Sequence, residues 1–445
     1  MKLSSPYLAA RSALLLWRNA SDHRRILRAM LSVSLFVTIA KFIGAAKEMA
    51  IAAVYGTSGV VDAYGFLTTL LNWPGGVLSS VMIWVFVPYL VRAKPHTADE
   101  AAAFKREFLG TTLLAAGVVA LVAGCTMFSA LSRGLTDLPP QTVSMAKVML
   151  LPMVLAASFG FIEGFLAANV MAQHRQTNTL LEGVPALCIL VLVLALPSRS
   201  PVQLAWATLV GIVVQVVLLM FVQPAGERLP RPVLSWRSPA WRGLMQGFGI
   251  IFLGQAIWCA VSVADQIMVA PLGPGAIATL GYASRVISLL VSLGAIAISR
   301  AILPTLSELS TLGHARARRV ASRWMAVLFL AGIAVGVAAW GIAPWGIRLL
   351  FQRGAFTAED TAGVVQAFRC GVLQLPFYFA GIVVVQLIAS ANDYRKFLYI
   401  GVINFVTKVA ANFLLIPVFG IGGVLLATSV MHAVSFPAVW LLSRK

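Results

Sequence analysis

Apolar residues run along this chain in long blocks, separated by short polar, basic or Pro- and Gly-rich breaks. A bilayer-spanning helix needs about 20 apolar residues. Twelve blocks meet that length, at approximately 30–54, 61–91, 107–132, 142–172, 177–197, 202–223, 243–270, 275–307, 322–350, 361–390, 395–416 and 420–441. Several exceed the hydrocarbon thickness, so tilt, kinks or ends projecting into water are expected. The pattern predicts an all-α integral membrane protein of about twelve transmembrane helices.

Composition removes the alternatives. Of 445 residues, 60% are hydrophobic and 11% charged, with a mean hydropathy of +0.89. A soluble domain carries roughly 25% charged residues, so this chain is too poor in polar groups to coat a soluble surface. It is also too apolar for a disordered chain. The net charge is +19. With an even number of spans both termini share one side. Twenty-three Lys and Arg fall in segments on that side, whereas the other side holds only Arg133, Arg199, Arg348 and Arg353. Both termini are therefore expected in the cytoplasm. The basic excess then needs no nucleic-acid partner, and anionic inner-leaflet lipids are expected near the basic loops. Cys125, Cys188, Cys259 and Cys370 lie in apolar runs without metal-ligand spacing and read as small buried hydrophobes. No cleavable signal peptide is expected at the N-terminus.

Residues 1–29 place Leu14, Leu15, Leu16 and Trp17 among basic residues. That fits a helix lying on the inner membrane surface, or equally a solvated basic tail. Residues 224–242, rich in Pro and Arg, read as a cytoplasmic linker between an N-lobe (30–223) and a C-lobe (243–445). The lobes echo each other. Glu48 is followed by Gly56 and Pro88, and Asp265 by Gly273 and Pro304, at nearly equal spacings. Six-span halves in parallel would be related by a pseudo-twofold axis along the membrane normal, a transporter plan.

Charges within the spans are the candidate chemistry. The basic ones are Lys41, Lys47, Lys147, Arg285, Arg300, Arg369 and Lys408, and the acidic ones Glu48, Asp62, Glu163, Glu182 and Asp265. A charge at mid-bilayer costs at least about 2.5–3.5 kcal/mol, so such residues face a protein interior or a wet cavity. Lys147, Arg300 and Glu182 lie near span ends, where long side chains reach the interface. Asp62, near the outer end, also admits the alternative of a cap for its own span, and Glu163 that of a structural hydrogen-bonding group between helices. Lys41 and Lys47 are deeper, about 120° apart on an ideal helix, and a bend at Gly44 would turn both to one cavity. Arg285 sits ten residues into its span. A Lys- and Arg-lined cavity suits a diphosphate. An organic cation would call for carboxylates and aromatics.

The stretch Ala40-Lys41-Phe42-Ile43-Gly44-Ala45-Ala46-Lys47-Glu48, then Tyr55-Gly56, then Val61-Asp62-Ala63-Tyr64 resembles the first hairpin of the MurJ/MviN family of lipid II flippases. That family reads Ser-Arg-x-Leu-Gly-x-x-Arg-Asp, Phe-Gly-x-Gly and Thr-Asp-Ala-Phe. Two further stretches resemble it: Tyr282-Ala283-Ser284-Arg285 leading to Leu303-Pro304-Thr305-Leu306-Ser307, and Leu350-Phe351-Gln352-Arg353-Gly354-Ala355-Phe356-Thr357. The resemblance, over about residues 33–440, implies a bacterial inner-membrane carrier of the larger superfamily that includes multidrug exporters. Such a carrier moves undecaprenyl-diphosphate-linked sugars outward by alternating access of two lobes around a cationic cavity. It implies that Lys41, Lys47 and Arg285 bind the diphosphate, and that Asp62, with Glu48 beside Lys47, belongs to the gate.

The departures are informative. Gly75 stands where the family has a span-2 arginine, two arginines have become lysines, and the chain has twelve expected spans against fourteen. These widen the expected cargo from lipid II to an exopolysaccharide, capsule or O-antigen unit. Some relatives bind sodium between spans 7 and 11. Here Asp265, Lys408 and Asn412 fall on those positions, so the Lys408 ammonium is expected to replace the ion and pair with Asp265. A monomer without cofactor or metal is the expected unit. Two rivals stay open: a multidrug exporter relying on Glu48, Glu163 or Asp265, and a membrane polymerase or ligase. No Gly-Lys-Ser/Thr phosphate loop and no catalytic His/Asp set supports the latter.

Overall fold

The computed structural model describes residues 36–92, 98–173, 177–196, 199–223, 231–312, 314–390 and 394–442. The basic segment 1–29 and the first part of the linker, 224–230, lie outside the described residues. Among the described residues every regular element is helical. The first lobe holds α1 (residues 36–55), α2 (Gly59–Val81, continued through a π turn at Met82–Phe86 into α3, Val87–Arg92), α4 (Ala98–Ser132) and α5 (Pro140–Ala172). It also holds α6 (Thr177–Leu181), α7 (Val184–Ala195) and α8 (Pro201–Val222). The second holds α9 (Ala240–Val269), α10 (Ala276–Leu312), α11 (His314–Phe351), α12 (Ala358–Val372), α13 (Leu375–Ser390), α14 (Tyr394–Phe419) and α15 (Ile421–Leu442).

Nine described helices are long and apolar enough to cross a membrane, and α12 with α13 makes a tenth span bent by 44°. Helix α1 misses that standard because Lys41, Lys47 and Glu48 crowd one membrane-length window. Helix α10 falls short of it as well, with only a shorter apolar stretch at Ala276–Ser292. These two poorer helices carry the Lys47, Glu48 and Arg285 charges that meet at the interface between the lobes.

Packing divides the helices into two groups. In the first, α5 is central and touches α2, α4 and α8. In the second, α10, α11 and α13 pack together, and α12 and α14 each pack on α15. The groups meet along a seam of α2 against α9 and α10. Both groups open with the same supersecondary unit: a helix, a glycine turn with positive φ (Gly56, +60°; Gly273, +107°), then a long helix. The end of the molecule carrying these turns is called the closed end below.

The described part of the linker is not a loose loop. Its extended backbone lies on α4, with Val233 N–H donating to Arg106 O (3.1 Å) and Trp236 Nε1 to Thr111 Oγ1 (3.1 Å). Glu107 accepts from Ser238 N (3.2 Å) and Trp241 Nε1 (2.8 Å). Trp241 then caps an aromatic cluster of Phe86, Phe104, Phe108 and Phe165. The cysteines differ from the buried positions expected of them. All four are free thiols, none is fully buried, and Cys125 is exposed on α4. Helix α4 is peripheral, so apolar side chains on it meet lipid in place of protein.

Candidate functional site

Asp62 occupies the first turn of α2 and is 1% exposed. Its carboxylate crosses the seam: Oδ2 accepts from Gly275 N (2.6 Å) and Oδ1 from Ala278 N (2.8 Å). The first lobe thereby caps the N-terminus of α10 in the second. Orphan N–H groups and the positive helix end both favour a carboxylate there. The approach is close enough to need glycine, since Gly275 has φ +82° and a Cβ on it would lie 2.7 Å from Thr57 O.

Three more contacts close this end. Tyr282 Oη donates to Gly56 O (3.0 Å), and its ring sits between Phe351 and Phe356. Ala355 N–H donates to Ala53 O (2.7 Å), and Gly354 beside it (φ +60°) abuts the same carbonyl. Thr57 Oγ1 donates to Asp360, which with Thr357 forms the capping box that starts α12.

Deeper in the seam, Glu48 is 7% exposed and holds two cations. Lys47 Nζ lies 2.6 Å from Oε1 and Arg285 Nη1 2.9 Å from Oε2. Arg285 comes from the second lobe, three residues beyond Tyr282 on the same face of α10. Its side chain stays 36% exposed, against 17% for Lys47. The cluster therefore couples the lobes while keeping cationic surface available. Lys41 does not join it. Two turns before Lys47, it is exposed and feels the charge of Glu182 at the break between α6 and α7, where Ala40 packs on Gly183.

A separate set lies between α9 and α14. Lys408 is 0% exposed, and its Nζ lies 3.1 Å from Asp265 Oδ1. It also donates to Val424 O (2.6 Å) and Thr428 Oγ1 (2.6 Å). All three ammonium hydrogens thus have acceptors. Asn412, one turn on, donates to the same Asp265 oxygen (2.8 Å). Glu163 accepts from Gln215 Nε2 (3.1 Å), and Gly75 faces the Phe161 ring.

The structure thus brings Lys47, Glu48 and Arg285 together, and separately Asp265, Lys408 and Asn412. It seats Asp62 on α10 and leaves Lys41 apart. Thr57, Tyr282, Ala355 and Asp360 escaped the charge-based reading because none is a buried unpaired charge in sequence. The Thr357-x-x-Asp360 capping pattern and the family-like stretches around residues 282 and 350–357 were the available signals.

The family model described as lipid II flippase MurJ matches residues 51–445. The chain belongs to the MurJ family. Among curated MurJ relatives, lipid II flippase MurJ of Burkholderia cenocepacia is 22% identical over 438 residues, 94% of this chain and 84% of that protein. A probable lipid II flippase MurJ of Bdellovibrio bacteriovorus is 23% identical over 394 residues, 81% of this chain and 72% of that one. Among solved structures, a lipid II flippase MurJ in an inward closed conformation superposes with a TM-score of 0.78. It shares 17% identity and covers 93% of this chain and 88% of that one. An inward-facing MATE-family multidrug transporter of the MOP superfamily reaches 0.64 at 16% identity, covering 92% and 93%. This MurJ-family chain is therefore an all-α, multi-pass membrane protein with the two-lobed fold of that superfamily.

Proposed function

We propose that this chain carries a polyprenyl-diphosphate-linked saccharide, lipid II or an exopolysaccharide or O-antigen unit, across the bacterial inner membrane, acting as a carrier and not as an enzyme. The observation that carries this reading is the Lys47–Glu48–Arg285 cluster, in which cations from both lobes share one carboxylate at the seam. Glu48 neutralises one of the two positive charges and holds both side chains in place. A diphosphate, with two anionic groups, competes for the same donors and gains a forked partner in Arg285. Lys41, exposed beside the α6–α7 break, would serve as an outlying contact. Ligand bound between the lobes would favour rocking about the seam, with release of Asp62 from α10 as the opening step. The excess of basic residues on the side of the termini, 23 against four, supports an orientation with both termini cytoplasmic and the closed end outward. Cargo would then enter from the cytoplasmic leaflet. A single chain builds both halves of the seam, so a monomer suffices.

Mass spectrometry of lipid-linked sugars in cells depleted of this protein tests the reading. Accumulation of lipid II identifies a peptidoglycan carrier, and accumulation of another polyprenyl-diphosphate saccharide an export pathway for that glycan. No change in any such lipid would overturn the proposal. Complementation with Lys47→Ala or Arg285→Ala is expected to leave the accumulated lipid in place while the variants still insert. Full rescue by both would remove these residues from the substrate path.

A further inference from the structure

On the second lobe, outside the seam, a trough of about 610 Å³ runs between α11 and α12. Trp340, Pro344 and Arg348 line it from α11 at four-residue spacing, hence on one helix face. Val365 and Arg369 line it from α12, and Leu373, just past the end of that helix, continues the four-residue spacing. Among the described residues no helix covers it: Trp340 is 49% and Leu373 52% exposed, and Arg348 is exposed. In a membrane this face meets lipid.

Arg369, three turns into α12, needs an anionic partner, because a guanidinium at membrane depth is costly unless paired. Arg348, in the last turn of α11 near the closed end, adds a second cation at headgroup level. Arg369 is only partly provided for. Its Nε donates to Trp340 O (3.3 Å), and its guanidinium carbon lies 4.1 Å from the Trp340 ring centroid. That leaves the two terminal amino groups of the fork. No carboxylate among the described residues pairs with Arg348 or Arg369. The anion available to a lipid-facing trough is a headgroup phosphate, whose oxygens match the arginine fork. Pro344 and Val365 form the apolar wall between the two arginines, and Leu373 lies one turn beyond Arg369, where an acyl chain would run.

We propose that the trough between α11 and α12 is a binding site for an anionic phospholipid, its phosphate held by Arg348 and Arg369. The proposal does not depend on which saccharide is carried. Two cations without a protein carboxylate favour a net-negative lipid over a zwitterionic one. The site also adjoins the closed end, since α12 begins at the Thr357–Asp360 box that meets Thr57. A lipid wedged there braces the α11–α12 hairpin behind that contact.

The test is native mass spectrometry of the full chain in detergent, titrated with phosphatidylglycerol or phosphatidylcholine. Arg348→Gln is expected to weaken one phosphatidylglycerol-binding event by roughly fivefold, the scale of one basic residue near a charged lipid. Arg348→Gln/Arg369→Gln should remove that event, with phosphatidylcholine binding unchanged. Arg133 and Arg199 are expected on the same side of the membrane as Arg348 but lie outside the trough. Arg133→Gln/Arg199→Gln therefore serves as control for a general loss of charge and should retain every event. Wild-type retention in the double variant, or an equal loss in the control, would overturn the site. Should the double variant not fold, Arg348→Gln decides alone, because its side chain is exposed and unpaired. Unchanged phosphatidylglycerol affinity there overturns the proposal too.

Discussion

Lys408 brings an ammonium into a place without solvent and finds a carboxylate, a carbonyl and a hydroxyl around it. Such an oxygen set would otherwise suit a small monovalent cation, and the lysine supplies the positive charge covalently. At the residue scale this predicts a chain indifferent to sodium. The melting temperature of the purified protein should be the same in sodium and choline chloride. Lys408→Ala leaves Asp265 as a buried charge without its cation, a loss of roughly 3–5 kcal/mol. That variant should melt lower and recover part of the difference in sodium. Sodium-dependent stabilisation of the unmodified protein would contradict the substitution of ion by lysine. The Glu48 cluster follows another logic. Its cations keep exposed surface, and their partner is one carboxylate shared between two lobes, so the arrangement is exchangeable where that of Lys408 is closed.

At the scale of elements, the linker acts as a strap on α4. Glu107 satisfies two donors from it, and Trp236 and Trp241 anchor its far end. The start of α9, the first helix of the second lobe, is thereby tied to the first, and α9 also packs on both α2 and α14. Relative motion of the lobes must then be absorbed within or beyond α9, not in the strap. The strap's seat depends on Gly110, where a Cβ would meet the Val233 backbone at under 3 Å. Gly110→Ala should lift the strap and free the backbone around Arg231 and Arg237, whose side chains are already exposed. Limited trypsinolysis of the variant is expected to cut there faster than in the parent chain. Equal rates would mean that the strap is held by the tryptophans alone.

The whole molecule has one tightly closed end, made of contacts between lobes. Asp62, on the α10 N-terminus, is a buried carboxylate among them and accepts two backbone hydrogen bonds. Hydrogen bonds to a charged group contribute about 1.5–3 kcal/mol each, enough to change a two-state ratio tenfold or more. Asp62→Ala should therefore populate an open form of this end. Spin labels at Ser58→Cys and Glu359→Cys, on opposite lobes in a chain cleared of its four cysteines, would report it as a longer distance absent from the parent. An unchanged distance distribution would show that Tyr282 and the 353–356 turn hold the end without Asp62.

The chain's alternation of apolar blocks and polar breaks was enough to place its helices. The bilayer core demands a minimum apolar length, and the backbone has no alternative there to hydrogen bonding within itself. The in-membrane charges were legible for the same reason, because each is too costly to be incidental. The recurring acid, glycine turn and long helix is likewise written in the sequence. The partners were not legible. Asp62 meets backbone groups 213 and 216 positions away, and those groups exist as free donors only because α10 begins there. Lys41 and Lys47 share a helix and a charge, yet neighbouring helices on different sides send one to Glu48 and Arg285 and the other toward Glu182. Periodicity and transfer cost act along one helix at a time and settle what must be hidden from lipid. Which hidden group meets which depends on how distant helices pack, and that is decided only when the two lobes come together.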